Sequence, residues 1–165
     1  MKILNDRQIQ QKIQRLAIQI VEQNFEEPEI ILAGINNNGM TFAQLLLDEL
    51  VELSTDIQFT VTRIRLNPAD PLKEEIHLEM PVEQLNDKAI IIIDDVANTG
   101  RTIFYATKPL MACLPKKIEV AVLVDRKHKS FPVKVDYVGL SLATTLMENI
   151  DVAIRNVEEK SVFLN

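Results

Sequence analysis

Between residues 6 and 25, apolar side chains recur every three or four positions: Ile9, Ile13, Leu16, Ile20 and Val21 share one side of an amphipathic helix. Pro28 follows its end. The period then shortens. Residues 29–35 are an apolar run of strand length, Asn36-Asn37-Asn38-Gly39 reads as a turn, and 40–53 return to helical spacing through Ala43, Leu46, Leu47 and Leu50. Ile57, Phe59 and Val61 alternate with polar residues as a strand, and Arg63 and Arg65 continue that face towards its end.

Asn67-Pro-Ala-Asp-Pro71 interrupts the pattern, with further turn signals at Pro81 and Asn86-Asp87. Residues 89–94 run apolar up to the final aspartate, as a parallel strand covered on both faces would. A helix is predicted from near Arg101 to residue 114, kinked at Pro109, which has no amide proton to donate. Residues 118–125 form another buried strand, and 136–139 and 152–154 are shorter candidates. Strands alternating with helices predict an open α/β fold with a mostly parallel sheet.

Composition narrows the class. The 165 residues suit one domain, and 47% apolar with 25% charged residues is a globular rather than a disordered balance. No apolar stretch approaches the roughly 20 residues of a membrane span. The opening MKILNDRQ lacks the apolar core of a signal peptide. Cys113 is alone, and no Cys/His set has zinc-ligand spacing. These points together favour a reducing cytoplasm. A net charge of −6 opposes nonspecific nucleic-acid binding.

The chemistry gathers in IIIIDDVANTGRT, residues 90–102. Ligands of open α/β sheets bind beyond the carboxyl ends of the strands, where Asp94 and Asp95 fall. The following Val96, Ala97, Asn98, Thr99, Gly100, Arg101 and Thr102 lead into a helix N-terminus with free amides and a positive dipole end. Thr99 and Thr102 add hydroxyl donors, and Gly100 lets the backbone approach an anion closely, which is phosphate chemistry. Ionised carboxylates accept hydrogen bonds without donating any, which matches a ribose diol. The segment therefore reads as a clamp for a ribose 5-phosphate. Paired aspartates after an apolar strand also occur in receiver domains, where they bind magnesium, and as solvated strand ends. Neither alternative accounts for Thr-Gly-Arg-Thr.

This stretch resembles the signature of the type I phosphoribosyltransferases, which bind 5-phosphoribosyl-1-diphosphate. Together with ILNDRQIQ in the first helix, ILAGINNNG (31–39) and AVLVDRKHKSFPVKVDYVG (121–139), it makes nearly the whole chain similar to the pyrimidine-operon attenuation regulators, which are also uracil phosphoribosyltransferases. The resemblance implies a parallel sheet with a small hood, transfer of ribose 5-phosphate to a pyrimidine such as uracil, Mg2+, and a dimer or larger homo-oligomer. It implies that Asp94 and Asp95 hold the ribose and, through its hydroxyls or water, the metal, while residues 96–102 hold the 5′-phosphate. Asn36, Asn37, Asn38 and Gly39 would meet the diphosphate, with Arg65, and more loosely Lys73, closing over it. Asp125, Arg126 and the backbone near Val138 would meet the base.

The sequence departs from that pattern in places. Asn38 stands where the resembled family usually carries a basic residue, so a non-catalytic nucleotide sensor is a second reading. GINNNGMT comes close to a nucleotide-binding P-loop, but Met40 replaces its lysine. Asn98 replaces the aspartate of purine-specific relatives, which argues against purines. The regulators bind RNA through a basic face that includes the first helix. Here Gln10, Gln11, Gln14 and Gln23 are expected to face outward while Lys12 and Arg15 survive, so RNA binding is expected to be weak or absent.

Overall fold

Asn5 starts the first helix. Its Oδ1 accepts the Gln8 amide proton and Gln8 Oε1 accepts that of Asn5, both at 2.9 Å, a reciprocal cap. The computed structural model describes residues 1–145 and 147–165. A short strand, β1 (Lys2–Leu4), precedes the cap, and the helix itself, α1 (Asp6–Gln23), buries Ile9, Ile13, Leu16, Ala17 and Ile20. It ends short of residue 25, leaving Phe25 exposed.

The apolar runs become the strands of one sheet. β2 (Glu29–Ile35), β3 (Gln58–Arg65), β4 (His77–Leu78), β5 (Ala89–Ala97), β6 (Lys117–Arg126) and β7 (Tyr137–Leu142) take the order β4-β3-β2-β5-β6-β7. All pairs are parallel except β3 with β4. α2 (Asn36–Leu53) connects β2 to β3, and α3 (Arg101–Ala106) connects β5 towards β6. Ile91 and Ile93 pack in the layer that holds α1 and α2, while Ile90 and Ile92 pack with Ile103, Ala106 and Leu110 on the other face. No helix among the described residues is long and apolar enough to cross a membrane.

From β2 the chain crosses to β3 on one side, and from β5 to β6 on the other. The carboxyl ends of β2 and β5 therefore diverge and open a crevice between them. Above the sheet, β1 pairs with β9 (Ser161–Leu164) and β9 with β8 (Ile150–Ala153), all antiparallel, giving the small hood. Leu4, Ile154 and Val162 are buried with the α1–α2 layer, so the hood shares the main core.

Two expectations about local structure are corrected. Residues 36–39 are not a free turn: they form the first turn of α2. Asparagine and glycine are poor helix formers, but packing overrides propensity here. A Cβ on Gly39 would lie 2.5 Å from Ile93 O, and one on Gly34 would lie 2.7 Å from Met40 N, so only bare glycines let α2 sit this close to the strand ends. The predicted kinked helix over 101–114 is two pieces. α3 stops at Ala106, and Pro109 lies in the first turn of a separate 3-10 helix, Lys108–Ala112, where its missing amide proton costs little.

Candidate active site

α1 is capped by its own side chains, whereas α2 and α3 have no side-chain cap at their N-termini. Both of those ends face the crevice beyond β2 and β5. Apart from Arg101 N, which donates to Thr99 Oγ1 at 3.4 Å, their first amides are left for a ligand.

The alternation of β5 reverses as it passes the two aspartates. Ile93 packs on the α1–α2 side, and so does Val96, while Ala97 returns to the α3 side. Local bonds hold this twist: Asp94 Oδ1 accepts the Asp95 amide proton at 2.9 Å, and Asp95 Oδ1 accepts that of Val96 at 2.8 Å. Both carboxyls consequently come within interaction range of each other, instead of parting to opposite faces. Asp94 is only 9% exposed. Burial first, then the charge of Asp95 and a side-chain hydrogen bond with it, push the Asp94 carboxyl well above its ordinary range.

Beyond the aspartates, residues 96–103 wrap a cavity of about 520 Å³ that also takes Pro68, Ser130 and Phe131 into its wall. Gly100 holds φ at 88°, a left-handed conformation that turns the chain into α3. Val96, Ala97, Asn98, Thr99, Gly100, Arg101 and Thr102 thus share one cavity wall, as their spacing suggested. Arg101 does something the sequence did not announce. Its Nη2 donates to Pro68 O at 2.6 Å and to Ala69 O at 3.3 Å, tying the proline-broken segment to the phosphate turn.

The three asparagines of the α2 start have separate tasks. Asn36, at φ 52°, acts as a strand mimic: its Nδ2 donates to Leu66 O at 2.9 Å and its Oδ1 accepts from Leu66 N at 3.0 Å. Both its side-chain nitrogen and oxygen are engaged by Leu66. Asn37 Oδ1 accepts from Arg63 Nη1 at 3.1 Å, and Asn38 Nδ2 donates to Asp95 Oδ2 at 3.2 Å. Arg65 is farther out. Its Nε donates to Glu79 Oε1 at 2.9 Å and its side chain is 56% exposed, against 25% for Arg63. Arg63, not Arg65, is the arginine in contact with the asparagine turn.

The base-side candidates divide. Asp125 lies at the carboxyl end of β6 in register with Ala97, next to the phosphate turn. Arg126 is occupied elsewhere, its Nε donating to Thr144 Oγ1 at 2.6 Å and its Nη2 to Thr145 O at 2.7 Å. Val138 sits lower in β7, opposite Val122, which itself pairs with Asp94. Lys129 was missed as a site residue. Its ammonium donates to Asp125 Oδ1 at 2.6 Å, to Asn98 O at 3.0 Å and to Arg126 O, pinning the turn after β6 to the turn after β5. The i,i+4 spacing of Asp125 and Lys129 was the only available signal. Ser130 and Phe131 add to this, both donating backbone amides to Thr99 O.

On the helix face, Gln11, Gln14 and Gln23 are exposed as expected, but Gln10 turns inward and its Nε2 donates to Glu49 Oε1 of α2 at 2.8 Å. Among the described residues, no three His, Cys, Asp or Glu side chains gather as a metal site.

The sequence and the fold that build this crevice are matched by known proteins. The model of the phosphoribosyl transferase domain covers residues 1–157. The chain belongs to the phosphoribosyltransferase family. It is therefore a pentosyltransferase by class. A family relative named bifunctional protein PyrR from Clostridium acetobutylicum is 33% identical over 168 residues, spanning 96% of this chain and 93% of the relative. The PyrR protein of Haemophilus ducreyi is 35% identical over 159 residues, spanning 91% and 87%. The fold is shared with the hypoxanthine phosphoribosyltransferase of Trypanosoma cruzi, with a TM-score of 0.77 at 15% identity over 98% of this chain and 95% of that one. A hypoxanthine-guanine phosphoribosyltransferase from Bacillus anthracis gives 0.72 at 20% identity over 87% and 84%. At such identities these two structures speak for the fold alone.

Proposed function

We propose that the chain, acting as one unit along its length, transfers ribose 5-phosphate from 5-phosphoribosyl-1-diphosphate to a pyrimidine-like base. The observation that carries this reading is the placing of Asp94 and Asp95 between two uncapped helix starts at the β2–β5 divergence. The cytoplasm and a homo-oligomeric state belong to the same proposal, by likeness to the resembled family. The preference for pyrimidines rests on the likeness to the PyrR proteins and on Asn98, an amide where an acid would serve a purine.

In this mechanism a ring nitrogen of the base, its proton passing to solvent, bonds to the anomeric carbon as the carbon–oxygen bond to diphosphate breaks, through an oxocarbenium-like state. The amides and hydroxyls of residues 99–102 anchor the 5′-phosphate. Asp95, and Asp94 once ionised, accept from the ribose hydroxyls and favour positive charge at the anomeric carbon. The open amides of α2, with Arg63 and Arg65, receive the leaving group, and Lys129 holds the base side against the phosphate side. Most of the rate enhancement comes from positioning these groups together.

Mg2+ fits the residues present. Two neighbouring carboxyls, one with its proton affinity raised by burial and by the charge of the other, form a hard oxygen donor set, and the absence of a third acid among the described residues leaves room for substrate oxygens. Asp94 and Asp95 would hold it through ribose hydroxyls or water. When bound it would neutralise diphosphate charge.

The test is diphosphate release with the diphosphate sugar and each free base in turn. Uracil should be turned over in preference to hypoxanthine or guanine. Asp95→Ala should abolish turnover while leaving the circular dichroism spectrum and melting temperature near wild type, and a variant that keeps its rate would contradict the assignment.

A further inference from the structure

Two cavities flank Asn37 and Arg63, and their charges differ. One, of about 400 Å³, is lined by Arg63 and Arg65 but also by Glu74, Glu75 and His77. Its outer arginine is already paired with Glu79. The other, an open recess of about 530 Å³, is lined by Asn37, Thr41, Gln44, Arg63, Arg155 and Asn156 and contains no acid. Arg155 is exposed on the turn after β8 and has no ion pair among the described residues. Asn156 beside it has φ 54°, a tight turn that directs this stretch of the hood towards α2. Arg63 Nε is buried and has no hydrogen-bond acceptor among the described residues, with Glu79 Oε1 3.9 Å away.

We propose that Arg155 is a further substrate-binding residue, which with Arg63 receives the diphosphate in the acid-free recess beside Asn37. A polyanion entering the first cavity meets two or three carboxylates, and like charges at short range are costly. In the recess it meets two guanidinium groups beside the start of an eighteen-residue helix, and the one carboxylate near them, Glu79, stands 3.9 Å from Arg63 Nε and outside the lining. The cation missing at Asn38 is then supplied from the hood. This inference rests on the phosphoribosyltransferase reading and names which side of its diphosphate site is used.

Inorganic diphosphate, titrated calorimetrically into the full chain with Mg2+ present, reads the recess, and UMP reads the sugar-phosphate cavity. Arg155→Gln should weaken diphosphate about tenfold, flatten the salt dependence of that affinity, and leave UMP within twofold of wild type. Arg155→Lys should recover part of the loss. Glu74→Gln with Glu75→Gln should change diphosphate affinity little. Unchanged diphosphate binding in Arg155→Gln, no diphosphate binding by the wild type, or a gain in the double glutamine variant exceeding the Arg155→Gln loss would overturn the inference. Loss of UMP binding in Thr102→Val checks the underlying reading separately. If UMP does not bind the wild-type chain, the sugar-phosphate reading falls, whereas UMP binding with a silent Arg155→Gln sinks only the role given to Arg155.

Discussion

Arg101 Nη2 lies 2.6 Å from Pro68 O, so a side chain from the phosphate turn holds down the segment that follows β3. Pro68 in turn forms part of the cavity wall. The cavity after β5 and the loop above it are one mechanical unit, and neither should move without the other.

Removing that tie should free the loop before it affects the core. Arg101→Ala is expected to speed amide hydrogen exchange at residues 69–73 by about tenfold, with the sheet amides unchanged. The KM for the diphosphate sugar should rise at the same time. Exchange rates equal to wild type would show that the loop is held by something else.

Asn38 contributes a neutral amide to Asp95 where a cation would both pair with that carboxylate and face the leaving group. In an Arg155→Gln background, Asn38→Arg should lower the KM for 5-phosphoribosyl-1-diphosphate by about tenfold, the scale of one charged hydrogen bond. Initial rates against sugar concentration measure this. A KM that stays put would mean that the charge is already supplied from another direction.

Asp94 should destabilise the free protein when it ionises. Its folded-state pKa is raised above the ordinary 3.8, so the folded carboxyl keeps a proton that the unfolded chain has already released. Stability from this group is therefore complete below pH 4 and is lost as pH rises through the folded value. Asp94→Asn should raise the stability of metal-free protein at neutral pH by roughly 1 kcal/mol, a gain that fades as the pH is brought below 4. Thermal melts in chelator across that range supply the measurement, and an asparagine variant less stable at pH 7 would count against it.

Gly39→Ala puts a methyl group 2.5 Å from Ile93 O, a distance that only backbone movement relieves. The start of α2 must lift from the strand ends, which misplaces Asn37 and Asn38 together. A stability loss of roughly 2 kcal/mol or more is expected in urea denaturation, with diphosphate-sugar binding lost before the fold is. Wild-type binding in this variant would show that the close approach is dispensable.

Much of this was legible from local pattern. Ile90 to Ile93 followed by two aspartates marked a central strand, and a candidate site at its end, because burial on both faces and polar groups at a strand end each leave a compositional trace. The start of α2 was not legible, since three asparagines and a glycine argue for a turn and only the contact with Ile93 O makes them helical. β1 was hidden for a different reason: its partner, β9, lies at the far end of the chain, and three residues carry no period. Arg63 and Arg65 share a strand face, so their alternation could not say which one touches Asn37. Lys129 resembled a solvated basic turn, because its three acceptors belong to segments that meet only in the folded sheet.

The amides that open α2 are uncapped, and at the start of α3 only that of Arg101 meets a side chain, Thr99 Oγ1 at 3.4 Å, so the crevice can be completed from outside. A guest that fills both helix mouths and satisfies the paired acids does for the crevice what Asn5 and Gln8 do for α1. Such a guest adds to stability in proportion to the logarithm of its concentration. The firmness of the fold would then follow the supply of activated sugar: rigid when the metabolite is plentiful, and looser around the strand ends when it runs short.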